Sequence, residues 1–247
     1  MASASTSRRS RLVIGSVRPA ASATPRVLAA FSFPESSDMQ QEIRSYQVRR
    51  GRTGPTSHAA HARLWPLHGI NPPYGELVRR LPLALEIGFG MGEATAQMAA
   101  ARPELDLLAV DVHPAGVASL LRRVEAAELT NVRIVEGDAL GVLRALPPAC
   151  LSEVRLYFPD PWPKARHVKR RLLRPTFAAL VATRLAPGGF VHLASDWPAY
   201  VEHARDALQG WDVQVIERPQ WRPVTGYERR AHRDGRVAID LLCRPPG

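Results

Sequence analysis

Four carboxylates in this chain lie in or just after short apolar runs: Glu86 in Glu86-Ile-Gly88-Phe-Gly90-Met-Gly92, Asp111 at the end of Leu107–Val112, Asp138 in Glu136-Gly-Asp138-Ala, and Asp160 in Phe158-Pro-Asp160-Pro-Trp162-Pro-Lys164. Glycines at alternate positions let a backbone turn sharply and approach a ligand with no Cβ in the way. The ExGxGxG spacing differs from the GxGxxG turn that seats a pyrophosphate on a helix N-terminus. Each feature has a plainer reading when taken singly: a tight strand-to-helix turn for the glycines, a helix N-cap for any one acid. Three acids at successive strand ends, together with the glycine turn, favour a bound nucleoside.

Downstream of Asp160 the chain carries six Lys or Arg and no acid between Lys164 and Arg174. Such a run is usually a solvated face, but beside a reacting turn it lies where phosphates flanking a bound base would sit. Trp162 either stacks on a base, as aromatics do on single strands, or packs inside its own loop. Arg229, Arg230, Arg233 and Arg236 likewise read as phosphate contacts or as decoration of a loop.

The elements that must position these residues follow a strand, turn, helix rhythm from about residue 83. Apolar runs at Ala84–Phe89, Leu107–Val112, Val132–Val135, Val154–Phe158 and Phe190–Ala194 are short enough for buried parallel strands. Helices are expected at Gly92–Ala101, Pro114–Ala127, Arg174–Leu185 and Pro198–Leu208, with Pro114 and Pro198 suited to a first turn. Asp212–Glu217 and Val237–Cys243 read as two closing strands joined by a long basic connection without a helix. The sum is an α/β fold, a mostly parallel seven-stranded sheet with a terminal antiparallel pair and helices on both faces. Ligands of such sheets lie outside the carboxyl ends of the strands, where Glu86, Asp111 and Asp138 fall.

The stretch from Phe158 to Arg171 closely resembles the FPDPW-x-KxRHxKRR signature of the tRNA (guanine-N7)-methyltransferases, with Val168 where bacterial members carry Asn. The resemblance extends over about residues 42–243, through Arg44-Ser45-Tyr46, Arg49-Arg50-Gly51-Arg52, Ala194-Ser195-Asp196-Trp197 and Thr225-Gly226-Tyr227-Glu228-Arg229-Arg230. The glycine turn resembles the first motif of class I methyltransferases, which have a Rossmann-like fold. The resemblance implies S-adenosylmethionine as methyl donor, held by Glu86, Gly88, Asp111, Asp138 and Asp160. Asp111 would accept from the ribose hydroxyls, and Asp138 from the adenine amine. It further implies Lys164, Asp196, Thr225 and Glu228 at the substrate and Arg166, His167, Lys169, Arg170 and Arg171 on RNA. For Asp196, capping of the helix at Pro198 is an added possibility. Three positions depart from the family pattern: Asp111 is shorter than the usual Glu, and Gly226 and Tyr227 replace Lys and Phe.

The implied reaction places a methyl on guanine N7 in tRNA, in the variable loop. N7 exposes a lone pair, so no general base is required. The protein must instead hold nucleophile and methyl in line, and a fixed carboxylate such as Asp160 can stabilise the redistribution of positive charge. An exocyclic-amine methyltransferase built on Asp160-Pro-Trp162 is the alternative enzyme, and a non-catalytic RNA-binding scaffold is the alternative of another class. The glycine spacing disfavours a nicotinamide dehydrogenase.

The composition fits this frame. In 247 residues the formal net charge is +10, which favours a polyanionic partner. Charges interrupt every apolar stretch, so no membrane span is expected. The two cysteines, Cys150 and Cys243, form no metal-binding pattern, and no metal is expected. Residues 1–34 hold five Arg and no acid. The chain therefore divides into a disordered basic leader (1–40), an N-terminal arm (41–82) and a methyltransferase domain (83–247). The leader reads as a solvated extension of a cytoplasmic protein or as an organellar transit peptide. A monomer or homodimer is expected.

Overall fold

The computed structural model describes Arg26–Val27, Tyr46, residues 54–71, Val78–Arg79 and residues 82–246. The leader expected at 1–40 falls outside the described residues except for Arg26–Val27 (β1), which pairs antiparallel with Val78–Arg79 (β2). Of the upstream Arg44-Ser45-Tyr46 and Arg49–Arg52 matches, only Tyr46 is described.

Seven strands build one sheet: β3 (Leu83–Ile87), β4 (Asp106–Asp111), β5 (Val132–Glu136), β6 (Leu151–Tyr157), β7 (Leu185–Ser195), β8 (Asp212–Ile216) and β9 (Ile239–Arg244). They lie in the order β5-β4-β3-β6-β7-β9-β8. The first five in sequence are parallel, and β9 runs antiparallel between β7 and β8. This is the expected α/β sheet with its closing antiparallel pair. The order reverses between β3 and β6, a switch point of the kind that opens a crevice at the strands' carboxyl ends.

Strand alternation sends Leu83, Leu85 and Ile87 to one face and Ala84 to the other. The first face packs under α4 (Ala139–Ala145), α5 (Pro175–Arg184) and α6 (Pro198–Ala207) through Leu143, Phe177 and Val201. The second packs under α1 (Pro55–His68), α2 (Glu93–Ala101) and α3 (Pro114–Ala126) through Leu64, Ala96 and Leu120. Helices therefore cover both faces. Toward β6, β7 and β9 the second face changes character, burying Glu153, Arg155, His192 and Asp240 beside Met98 and Tyr157.

Besides α1, which lies within the expected N-terminal arm, two helices were not expected. The first, α4, has only seven residues, too few for periodicity to show. The second corrects the reading of a helix-free connection between the last strands: Gly226–Arg233 is a helix, α7. Its buried residues are Glu228 and Ala231, so no apolar stripe advertises it. What starts it is Thr225, whose hydroxyl accepts from the Glu228 N–H at 3.0 Å.

Candidate functional site

The glycine turn leaves β3 with Gly88, Gly90 and Gly92 all in the left-handed region, at φ of 77°, 60° and 71°. That conformation is open to glycine and uncommon for other residues. A Cβ at Gly88 would meet no atom within 4 Å, so the space beside the turn is open to a ligand. The turn is clasped from α3, where a Cβ at Gly116 would stand 2.1 Å from the Gly90 carbonyl oxygen. Gly116 has no motif around it, and the sequence reading missed it.

Asp111, buried at the end of β4, accepts from the Gly90 N–H at 2.7 Å through Oδ2 and from the His113 N–H at 2.9 Å through Oδ1. Burial raises its carboxyl above the ordinary value, against the pull of those backbone hydrogen bonds. Each oxygen keeps a second lone pair for a hydroxyl donor. Glu86 lies deeper: Oε1 accepts from Thr95 Oγ1 at 3.1 Å, while Oε2 is buried without a partner. Burial pushes this carboxyl up to about 7. Asp138 caps α4 by accepting from the Leu140 N–H at 3.3 Å, so the capping reading and a rim position hold together. An open glycine floor, rim carboxylates and an unsatisfied buried oxygen fit a nucleoside.

Asp160 is exposed on the turn that follows β6, across the switch point from the glycines; Ile87 and Leu156 are register partners at the ends of the two strands. Its turn is strained, since Phe158 and Trp162 take left-handed φ of 49° and 43°, which costs about 1–3 kcal/mol each. The surroundings hold it there. The Phe158 N–H donates to the Ala194 carbonyl at 2.7 Å, and Arg171 Nε donates to the Pro161 carbonyl at 2.9 Å.

Arg171 corrects an expectation. Named above as an RNA contact, it is buried, bonds a second carbonyl at Ala199 at 3.2 Å and lies over the Tyr200 ring. A charge run in sequence does not show which of its members turns inward. The other cations of the run form a 3-10 turn at Ala165–Arg170, with Lys164, Arg166 and Lys169 exposed. Trp162 takes the packed reading: it is buried, with the Arg170 guanidinium 5.0 Å from its ring centre and the His167 ring edge-on at 5.7 Å. Burial and the neighbouring Arg170, Arg166 and Lys164 charges hold His167 below the usual histidine value.

Asp196, after β7, accepts from Arg236 Nε at 2.8 Å. It does not cap α6; the N-cap is Trp197, whose N–H donates to Ser195 Oγ at 3.2 Å. Glu228 is buried, and Arg222 Nη1 donates to its Oε2 at 2.9 Å. Arg222 also donates to Asp240 through Nε at 2.8 Å and Nη2 at 2.7 Å. Asp240 meets His192 Nε2 at 2.7 Å, and His192 Nδ1 meets the Tyr157 hydroxyl at 2.9 Å. Burial would raise Asp240, but the His192 and Arg222 bonds hold it below the ordinary value. This chain of buried polar groups links α7 to the strand that carries the Asp160 turn. Arg222, His192 and Asp240 were missed because an isolated charge in a sequence reads as surface.

Among the described residues, no three His, Cys, Asp or Glu side chains gather as a metal site, and no helix is long and apolar enough to cross a membrane. Residues 80–241 match a family model described as a putative methyltransferase. The chain is 46% identical over 216 residues to the tRNA (guanine-N(7)-)-methyltransferase of Nitrosospira multiformis, covering 82% of this chain and 94% of that protein. Its identity to the protein of the same name in Streptomyces coelicolor is 45% over 227 residues, covering 85% and 84%. With that of Alkalilimnicola ehrlichii it is 44% over 221 residues, covering 83% and 93%.

Proposed function

The chain belongs to the tRNA (guanine-N7)-methyltransferase family, and from that premise we propose that it transfers a methyl group from S-adenosylmethionine to N7 of the variable-loop guanosine in tRNA. One observation carries the reading at the site. The glycine turn after β3 and the Asp160 turn after β6 flank the reversal of order among the parallel strands, and the exposed cations continue directly from the latter.

When bound, the cofactor supplies an electrophilic sulfonium methyl. Gly88 and Gly90 would give it backbone to lie against, Asp111 would accept from its ribose and Asp138 from its adenine amine, while Glu86 braces the turn from beneath. Guanine N7 already presents its lone pair, so no side chain need remove a proton before attack. Positioning is then the main task, and it accounts for up to roughly 7–11 kcal/mol of a barrier. Asp160, on a turn locked by Arg171 and the Ala194 carbonyl, keeps a carboxylate where positive charge moves from sulfur to purine. Lys164 and Asp196 lie beside the incoming base, and Thr225 with Glu228 shapes the loop that overhangs it. Arg166, Lys169 and Arg170 face the flanking phosphates.

The test is incubation of the purified full chain with unmodified tRNA and methyl-labelled cofactor, followed by nucleoside identification and mapping. Label in 7-methylguanosine at the variable loop is expected. Label in methylated adenine with no 7-methylguanosine would instead support the exocyclic-amine reading.

A further inference from the structure

The four arginines around α7 do not have the same role. Arg229 Nη2 lies 3.5 Å from Glu93 Oε2, and Arg236 Nε donates to Asp196 Oδ2 at 2.8 Å. These two pairs moor α7 to the turn after β3 at one end and to the end of β7 at the other. Tyr227 adds to the first mooring, its ring 3.9 Å from where a Cβ on Gly90 would stand. Since β6 lies between β3 and β7, the helix spans the rim from which the Asp160 turn emerges.

Arg230 and Arg233 are exposed and have no acidic partner among the described residues. At 3.6 residues per turn they project opposite the side that buries Glu228 and Ala231. Gly226, four residues before Arg230, falls on the same outward ridge and is exposed. An ordinary solvated helix face mixes charge signs, whereas this ridge is cationic, and the acid that follows it, Asp234, is paired with Arg236 at 3.0 Å.

We infer that the outward ridge of α7 is a second phosphate-binding element for tRNA. Arg230 and Arg233 grip the backbone on the side of the target nucleotide opposite the Ala165–Arg170 turn, so the nucleotide is held between two cationic elements. The inference rests on tRNA being the substrate. It also gives Gly226 a meaning: the ridge has an empty position where a cation fits, because a Cβ there meets nothing closer than the Arg229 guanidinium at 3.8 Å.

The test measures tRNA affinity of the full chain across a series of salt concentrations, with S-adenosylhomocysteine titrated by calorimetry as a check of the folded rim. For Arg230→Gln with Arg233→Gln, we expect about a tenfold loss of tRNA affinity and a salt dependence shallower by about one to two phosphates. Gly226→Lys should do the reverse, tightening tRNA binding and steepening the salt dependence by about one phosphate; this gain cannot come from misfolding. Unchanged tRNA affinity and salt slope in both variants, with normal nucleoside binding, would overturn the inference. Lys169→Gln with Arg170→Gln runs in parallel. If it weakens tRNA binding while the α7 variants do not, the ridge alone is refuted. If the parent chain binds no tRNA, the substrate reading fails with it.

Discussion

Arg222 meets Glu228 at 2.9 Å where both side chains are almost wholly withdrawn from water. The same guanidinium grips Asp240 at 2.7 Å, so one cation bridges two carboxylates and fastens α7 to β9. Neither acid advertises this in the sequence, yet the loop that overhangs the site depends on it. Removing one partner of a buried pair strands the other and costs about 3–5 kcal/mol. Arg222→Ala leaves Asp240 with only His192 and Glu228 with only the more distant Arg218 at 3.7 Å, and should cost about that much in denaturant unfolding. Glu228→Ala leaves Asp240 paired and should cost less. Equal losses, or losses under about 1 kcal/mol, would contradict this account of the loop.

Gly116 and Gly88 should each be harmed by alanine, for different reasons. At Gly116 the new methyl would stand 2.1 Å from the Gly90 oxygen, so the glycine turn must move. Calorimetry with S-adenosylhomocysteine should show at least a tenfold loss of affinity, which is about 1.4 kcal/mol. At Gly88 space is open within 4 Å and only the left-handed φ of 77° is strained. There the methyl meets no protein atom but enters the space left for the cofactor, so the expected cost is a loss of stability of about 1–2 kcal/mol together with weaker nucleoside binding. Tight nucleoside binding by Gly116→Ala would refute the clasp.

Asp160 and the cationic turn should separate chemistry from binding. Asp160→Ala is expected to lower kcat by about 100-fold or more, while the tRNA Kd stays within a few-fold. Lys169→Ala with Arg170→Ala should raise the tRNA Kd and flatten its salt dependence. Parallel losses of kcat and affinity in both variants would contradict the division.

Glu86 gives a pH signature. Burial places its carboxyl at about 7 in the folded protein, against 4.5 for the free group. Between those values the folded state binds more protons than the unfolded state, so stability contributed by the protonated acid is full below about 4.5 and declines as pH rises through about 7. Glu86→Gln removes the titration. In the absence of cofactor, the variant should gain stability relative to the parent between pH 5 and pH 8, on the order of 2–3 kcal/mol. A difference that does not change with pH would remove Glu86 from this role.

All five parallel strands were legible because each is a short, largely apolar run of the kind a buried parallel strand requires, and four of the helices that follow them were legible from Pro or Gly at a boundary, α4 being too short to show. The rim acids and the Asp160 turn were legible because their residue types sit at strand ends. The second face beneath β6 and β7 was not. Glu153, Arg155, His192 and Asp240 are scattered polar letters, and their mutual satisfaction depends on strand alternation and on register such as Ala194 opposite Asp240. Helix α7 was hidden for the same reason, its inward side being a charge and an alanine. Arg171 was misread because a run of like charges carries no sign of which member bonds a carbonyl.

The last of the seven strands to leave the ribosome, β9, is inserted between β7 and β8 rather than added at the margin. Until it is synthesised, β7 has a bare hydrogen-bonding edge and Arg222 lacks Asp240. A stalled or shortened chain ending before Ile239 would therefore carry the glycine turn and the cationic segment without the fixed overhang that spans them. Such a fragment would expose an adhesive strand edge, open to pairing with other chains, as a direct consequence of the threading order of the sheet.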